Sequence, residues 1–341
     1  MGRRAARDRA RQLGLLMGVL GRRGRFGLAL GGGAARGLAH LGVLEVLEEN
    51  GLAPTALSGT SIGALVAGIW LTSGSAERAI DKVQSFVHSD DYRRAELEYV
   101  SQARNADAQG WASLIMRSIS RGMFYTRAFR NISFVSDENY RHNVFHLLPS
   151  VDIEDLPLPF AAVATDLETG EPVVFRRGPL REAVLASGAV PGVMPPQRVD
   201  GRLLSDGAMV DKIPARALLS TDVDAIVGVD VSTEFATPTE LRRGLEVITR
   251  ANQVTEWSLR QVRNAVCDVV VRPEVQDIRW LDFAAAIPAI GRGREAMEPV
   301  IPRLRAILGR ARLLSVVGLS RPRRARRLLA EGWLGARSVE P

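Results

Sequence analysis

Phe26-Gly27-Leu28-Ala29-Leu30-Gly31-Gly32-Gly33-Ala34-Ala35-Arg36-Gly37, followed by Ala56-Leu57-Ser58-Gly59-Thr60-Ser61-Ile62-Gly63, are the two stretches on which the fold turns. Phe26 to Leu30 is a short apolar run suited to a buried strand, and it enters a glycine-rich turn at Gly31. Beyond the turn, Leu38, Leu41, Val43, Leu44 and Leu47 face one side of a helix until Asn50-Gly51 stops it. Ala56 to Ser58 starts the same pattern again, with a tight turn at Gly59 to Gly63 and an apolar helix running to about Leu71. Strand, turn and buried helix in repeated order predict an open α/β sheet with parallel strands.

Residues 76–150 interrupt that rhythm with charged helical stretches, the Asp90-Asp91 pair and the aromatics Trp111, Phe124, Tyr125, Phe129, Phe134, Tyr140 and Phe145. This segment reads as a cap over the sheet, its aromatics serving equally well as ordinary core. Strand character resumes at Phe160 to Ala164 and Pro172 to Phe175, a helix follows at Leu180 to Ala186, and Ala225 to Val231 and Val269 to Val271 read as buried strands. No internal repeat and no linker divides the chain.

With 46% hydrophobic and 24% charged residues in 341, the chain can bury a large core, which excludes a disordered or collagen-like protein. One cysteine, Cys267, can form no internal bridge and is expected as a buried thiol. The apolar helix Ile62 to Leu71 is about half of the roughly 20 residues that span a bilayer, so no transmembrane segment is expected. Charge is uneven: the net +7 combines +15 on residues 1–25 and 302–341 with about −8 on residues 26–301. The body is mildly acidic between basic ends, and nucleic acid is not an expected partner. Arg3, Arg4, Arg7, Arg9 and Arg11 precede Leu13 to Leu20, which resembles a signal peptide only in part, because no small-residue cleavage site follows. Near the other end, Leu304, Ile307, Leu308, Arg310, Arg312 and Leu313 fit a basic amphipathic helix, and Arg321 to Arg327 add more charge. Such ends suit an anionic membrane surface, and solvated helix faces suit the same residues.

Gly59-Thr60-Ser61-Ile62-Gly63 matches G-x-S-x-G, in which flanking glycines allow a strained strand-to-helix turn that presents the serine hydroxyl. The motif is weak alone and gains weight from the strand before it and the helix after it. The Gly31 to Gly37 turn can offer backbone N–H groups to an anion, either a dinucleotide pyrophosphate or the oxyanion of an acyl-transfer intermediate. Spacing disfavours the dinucleotide, since Ala34 or Arg36 stands where G-x-G-x-x-G needs glycine and no acid ends the next strand near Leu57. An α/β-hydrolase triad needs a histidine after its acid, and only His40, His88, His142 and His146 exist. His40 reads as a core histidine. A base must then be sought among the carboxylates, and Asp206 is best placed, because Leu203-Leu204-Ser205 delivers it to the turn at Gly207. Asp166, Asp200, Asp211 and Asp230 remain rivals on local chemistry.

Taken in order, Leu30-Gly31-Gly32-Gly33-Ala34-Ala35-Arg36-Gly37, Gly59-Thr60-Ser61-Ile62-Gly63, Ala186-Ser187 through Pro191-Gly192-Val193-Met194-Pro195-Pro196, and Asp206-Gly207-Ala208 resemble the patatin-like phospholipase family, over about residues 26–232. Ala162 to Gly170 is similar to its stand-alone bacterial members. The resemblance implies a three-layer α/β/α fold with a mainly parallel central sheet and a helical cap insertion at 76–150. Residues 233–312 would complete that catalytic domain, between basic tails at 1–25 and 313–341. It implies a Ser–Asp dyad that hydrolyses acyl esters without histidine, metal or cofactor. Carried over by position, Ser61 is the nucleophile and Asp206 the base, within the Asp206-Gly207-Ala208 element. Gly59 and Gly63 shape the elbow. Gly32, Gly33, Ala34, Arg36 and Gly37 form the oxyanion turn, its donors being the amides of Gly33 and Ala34. The family's third glycine is Ala34 here, which keeps the hole intact if its φ is negative.

The expected activity is therefore lipid acyl-ester hydrolysis of the phospholipase A or lysophospholipase type. Hydrolysis of soluble esters or thioesters, or a non-catalytic lipid-binding regulator on the same fold, are the alternatives. The expected place is the cytoplasm, peripheral to the inner face of the membrane.

Overall fold

The computed structural model describes residues 24–89, 92, 133, 135–233, 235, 241 and 244–316. Its first half contains β1 (Phe26–Leu30), a 3₁₀ turn (Ala34–Leu38), α1 (Ala39–Glu49), β2 (Ala56–Thr60), α2 (Ile62–Ser73), α3 (Ala76–Val87) and α4 (Asp137–Leu147). Then come β3 (Phe160–Asp166), β4 (Pro172–Phe175), α5 (Leu180–Ser187), β5 (Gln197–Val199) and β6 (Arg202–Asp206). The chain continues through a 3₁₀ turn (Ala215–Leu218), β7 (Ala225–Val229), α6 (Gly244–Asn264), β8 (Val269–Val271), α7 (Ala286–Met297) and α8 (Ile301–Val316). The sheet runs β5-β6-β3-β2-β1-β7-β8, with β4 on β3 outside that path. From β3 to β8 all neighbours are parallel, while β4 and β6 both run antiparallel to β3.

The register on β3 positions the site. Ala162 and Val163 pair with both β4 and β2, so β2 and β4 occupy opposite edges of β3. Ala164 and Thr165 pair with both β4 and β6, which puts β6 on the same edge as β2, one residue further on. Being antiparallel, β6 points its C-terminal Asp206 back at the C-terminal end of β2. Thr60 faces Val163 and Asp206 faces Ala164.

Strand alternation divides β1 between two cores. Phe26, Leu28 and Leu30 enter the large cluster with α1, α2, α3, α5 and α7, whereas Ala29 joins Ile213, Leu218 and Ile226 on the opposite face. A thinner layer, the turn Ala215–Leu218 with Val266 and Cys267, covers that second face. Helices α1 and α7 cross closely because both have glycine at the contact. A Cβ on Gly42 would lie 2.0 Å from the Ile290 carbonyl oxygen, and one on Gly293 would lie 1.9 Å from that of Ala39.

Several expectations shift. β2 continues through Thr60 and β3 through Asp166, because their ends find partners on the β3 edge and on β4 and β6. β7 stops at Val229. The hairpin β5–β6 was not expected, although its two-residue turn Asp200-Gly201 carries a recognisable signal. Both residues have positive φ, 49° and 77°, so Asp200 is a turn residue. The described parts of 76–150 are built into the main core: Val83 and Phe86 from α3 and Tyr140, Val144 and Leu147 from α4 belong to it. Trp111, Phe124, Tyr125, Phe129 and Phe134 lie outside the described residues, as do residues 1–23 and 317–341 of the basic tails. The apolar face expected to meet a membrane through Leu304, Ile307 and Leu308 packs instead on the body, where Leu304 is fully buried. That surface is already removed from water, so it has little left to gain from lipid. Among the described residues no helix is long and apolar enough to cross a membrane.

The α1–α7 crossing sets a test of packing against propensity. Gly293→Ala should cost about 1–3 kcal/mol through overpacking. Gly291→Ala in the same helix meets nothing within 4 Å and should gain about 0.8–1 kcal/mol in helix propensity. Urea midpoints moving in opposite directions would bear this out; a Gly293→Ala protein as stable as the parent would not.

Candidate active site

Ser61 is the first residue past β2 and the N-cap of α2, with φ 56° and ψ −126°. A serine in that region carries strain of order 1–3 kcal/mol that its surroundings must hold. They do so by close approach. A Cβ on Gly59 would stand 2.5 Å from the Ala64 backbone, and one on Gly63 would stand 2.1 Å from the Leu30 carbonyl oxygen. Only glycine at both positions lets α2 start this near β1 and β2. The Ser61 amide donates to Ser187 Oγ at 2.9 Å, and that hydroxyl donates to the Val163 carbonyl at 2.6 Å. Ser187, at the end of α5, therefore ties the elbow to β3. Residue-level chemistry did not single it out, since a lone serine at a helix end has many uses.

Asp206 meets Ser61 where the β3 register requires. Asp206 is 4% exposed, and its carboxylate accepts from the Ala208 amide at 2.7 Å and lies beside the Ser61 side chain. Burial pushes it up to about 6, against the downward pull of the Ser61 side chain, the Ala208 amide and Lys212. Lys212 is itself ion-paired with Glu256 on α6, which adds a weaker upward influence. Such a carboxylate is ionised at neutral pH yet far more basic than a solvated aspartate. Gly207 makes the turn possible, for a Cβ there would lie 2.0 Å from the Val163 carbonyl oxygen.

The glycine turn closes over the pair. A Cβ on Gly32 would sit 3.4 Å from that of Ser61 and 3.3 Å from that of Ala208, so Gly32 is where the three motifs meet. Its amide is spent on the Lys212 carbonyl at 2.9 Å, and that of Ala35 on Trp280 at 2.9 Å. The amides of Gly33 and Ala34 between them find no backbone acceptor among the described residues. Ala34 has φ +50°, so the negative φ on which an intact hole was conditioned is absent, although its amide still has no backbone acceptor among the described residues. A glycine adopts that conformation freely, whereas alanine costs about 1–2 kcal/mol there. Arg36 is 5% exposed and donates from Nε to the Ile278 carbonyl at 2.8 Å, so it anchors the turn to the loop before α7. Gly37 admits Ile62, whose Cγ2 would be 2.2 Å from an added Cβ. His40 is fully buried, with Nε2 2.8 Å from the Gly31 carbonyl. Desolvation pushes it down to about 4, so it is a neutral strut under the turn.

The rival carboxylates are elsewhere. Asp166 caps its own turn by accepting from the Glu168 amide at 2.9 Å. Asp230 is ion-paired with Arg260 and Arg272. Asp211 is buried with neither oxygen hydrogen-bonded, pushed up to about 7 by desolvation against the fields of Arg263 and Arg216. Cys267, nearby and partly buried, is pushed up to about 12 by burial, which keeps it a thiol.

Beside Ser61 opens an apolar cavity of about 120 Å³ between α2 and α4. Leu65, Val66 and Ile69 line it from α2, Val144 and Leu147 from α4, and Phe283 from the loop before α7.

A serine on a strained strand-to-helix turn, with a buried carboxylate and an apolar cavity beside it, has the layout of a nucleophile elbow on an α/β sheet. The patatin-like phospholipase family pattern matches residues 28–219. An uncharacterised NTE family protein of Mycobacterium tuberculosis is 34% identical over 241 residues, 70% of this chain and 56% of that protein. A lysophospholipase of Mycosarcoma maydis is 28% identical over 208 residues, 61% of this chain and 10% of its own length. Among solved structures, VipD of Legionella pneumophila is similar with TM-score 0.41 and 14% identity, over 82% of this chain and 67% of its own. The chain belongs to the patatin-like phospholipase family. It spans about half the length of its mycobacterial relative.

Asp211 generates a stability test. An acid whose pKa is raised by folding disfavours the native state wherever the unfolded chain is ionised and the folded one is not. This burden grows as pH rises from near 4 toward 7 and is constant above. Asp211→Asn should therefore raise the urea midpoint more at pH 8 than at pH 5, and an equal or reversed gain would refute it.

Proposed function

We propose that this chain is a serine hydrolase of lipid acyl esters, of the phospholipase A or lysophospholipase type, acting through Ser61 and Asp206. One observation carries the reading: the strained serine and the raised, buried carboxylate lie side by side at the mouth of an apolar cavity. Membership of a phospholipase family, with a lysophospholipase among the relatives, supports the lipid class.

In this mechanism Ser61 Oγ attacks the ester carbonyl while Asp206 accepts its proton. The oxyanion forms beside the Gly33 and Ala34 amides, which have no competing backbone acceptor. A single donor of this kind is worth about 2.7–4 kcal/mol in other acyl-transfer enzymes. Asp206 returns the proton to the departing alcohol, then takes one from the attacking water and passes it to Ser61 Oγ as the acid leaves. Burial suits the task, because a carboxylate at the solvent value would be a weak base at neutral pH. The acyl chain lies in the cavity between α2 and α4. The basic segments 1–25 and 313–341 are the proposed contact with anionic lipid, at the inner face of the cytoplasmic membrane.

Labelling with a fluorophosphonate probe tests the dyad directly. An adduct mapped to Ser61, lost in Ser61→Ala and strongly reduced in Asp206→Asn, is expected; a probe that labels Ser61→Ala equally removes the nucleophile. On a short p-nitrophenyl ester, Ser61→Ala should lower kcat by about 10⁴–10⁶-fold. Its kcat/KM in the wild type should fall as pH drops through about 6, the value to which Asp206 is raised. An acid limb near 4 would mean that another group is the base.

A further inference from the structure

Asn143 is the one lining side chain of the Ser61 cavity, among the described residues, that carries an amide, a carboxyl or a charge. It is 8% exposed and has no side-chain hydrogen bond or ion pair among the described residues. The other polar groups on that side are occupied. Ser61 faces Asp206, and the Tyr140 hydroxyl donates to the Leu185 carbonyl at 2.8 Å. Val144 and Leu147, which share the wall with Asn143, are aliphatic.

An asparagine offers two donors and an acceptor. A plain hydrocarbon chain seated against it would strip its water and give nothing back, which is the costly case for a buried polar group. A chain with an oxygen at that height would pair with it. Resting on the hydrolase reading, we infer that Asn143 makes this site selective for acyl chains bearing a hydroxyl or keto oxygen near the carboxyl end. Tyr140 lies on the dyad side of α4, its hydroxyl resting against Gly188, whose neighbour Ala189 accepts from the Asp206 amide. Asn143 follows it by three residues on α4, about 4.5 Å along the axis. The recognised oxygen therefore lies in the part of the chain nearer the ester carbonyl. Asn143 is a specificity residue, with no part in bond making.

The experiment compares p-nitrophenyl esters of decanoate, 3-hydroxydecanoate, 5-oxodecanoate and 10-hydroxydecanoate on wild type and on the near-isosteric Asn143→Leu. The wild type should prefer 3-hydroxydecanoate or 5-oxodecanoate over decanoate by about tenfold or more in kcat/KM, with no such preference for the terminal hydroxyl. In Asn143→Leu the ratio should collapse toward unity through faster decanoate turnover and slower turnover of the oxygenated ester. Equal handling of all four esters by the wild type overturns the inference, and that arm decides even if Asn143→Leu does not fold. So does a preference that survives Asn143→Leu. Calorimetric binding of the corresponding free acids to Ser61→Ala reads the same selectivity without turnover. A protein that hydrolyses no ester yet binds the oxygenated acids more tightly refutes the hydrolase and keeps the pocket; one that binds all the acids alike refutes the pocket.

Discussion

Strand β3 carries β2 along the first part of one edge and β6 along the next, and the two strands meet end to end from opposite directions. That shared edge brings together Ser61 and Asp206, which stand far apart in the chain. Nothing at the junction needs flexible reach, because Asp206 is the last residue of β6 and Ser61 the first past β2. Backbone hydrogen bonds on β3 fix their separation, and the opposite edge is held by β4. Placing reactive groups on regular elements fixes them more tightly than loops do.

The geometry so created is strained, and the strain is shared among neighbours. Ser61 and Ala34 both hold positive φ without being glycine. Around them, Gly59, Gly63 and Gly207 let backbone approach backbone at distances that a Cβ would forbid. Ser187, His40 and Arg36 then tie the elbow and the glycine turn to β3, to Gly31 and to the loop before α7. Their hydrogen bonds run to backbone atoms, so they hold the elbow and the turn in place. An uncharged His40 fits that duty. Buried with one carbonyl partner, it gains nothing from a proton that burial makes expensive.

Burial treats the acids of this protein differently according to what they face. Asp206 is desolvated yet accepts from the Ala208 amide and lies beside Ser61, and it is raised only to about 6. Asp211, five residues on and facing the thin second layer, has a carboxylate with no hydrogen bond and is raised further. Asp166, in a turn that its own carboxylate caps, keeps a structural job. Residue type is the same in all three; partner geometry decides what each can do.

Local physics made the two strand–turn–helix units legible, because hydrophobic period and glycine position are properties of a few adjacent residues. The elbow at Ser61 was legible for the same reason, as was Asp206 as a candidate at a strand-to-glycine turn. Choosing Asp206 over Asp166, Asp200, Asp211 and Asp230 was beyond residue chemistry, and only the ordered likeness to a family made that choice. Asp200-Gly201 holds a readable hairpin signal, since its two residues suit the positive φ of a tight turn. The meeting of Ser61 with Asp206, the anchoring by Ser187, the positive φ of Ala34 and the burial of Leu304 were decided by tertiary structure alone. Each depends on which strand edge or helix face comes to lie beside which, and such long-range pairings are set by the sum of core packing and sheet register, not by any residue's neighbours in the chain.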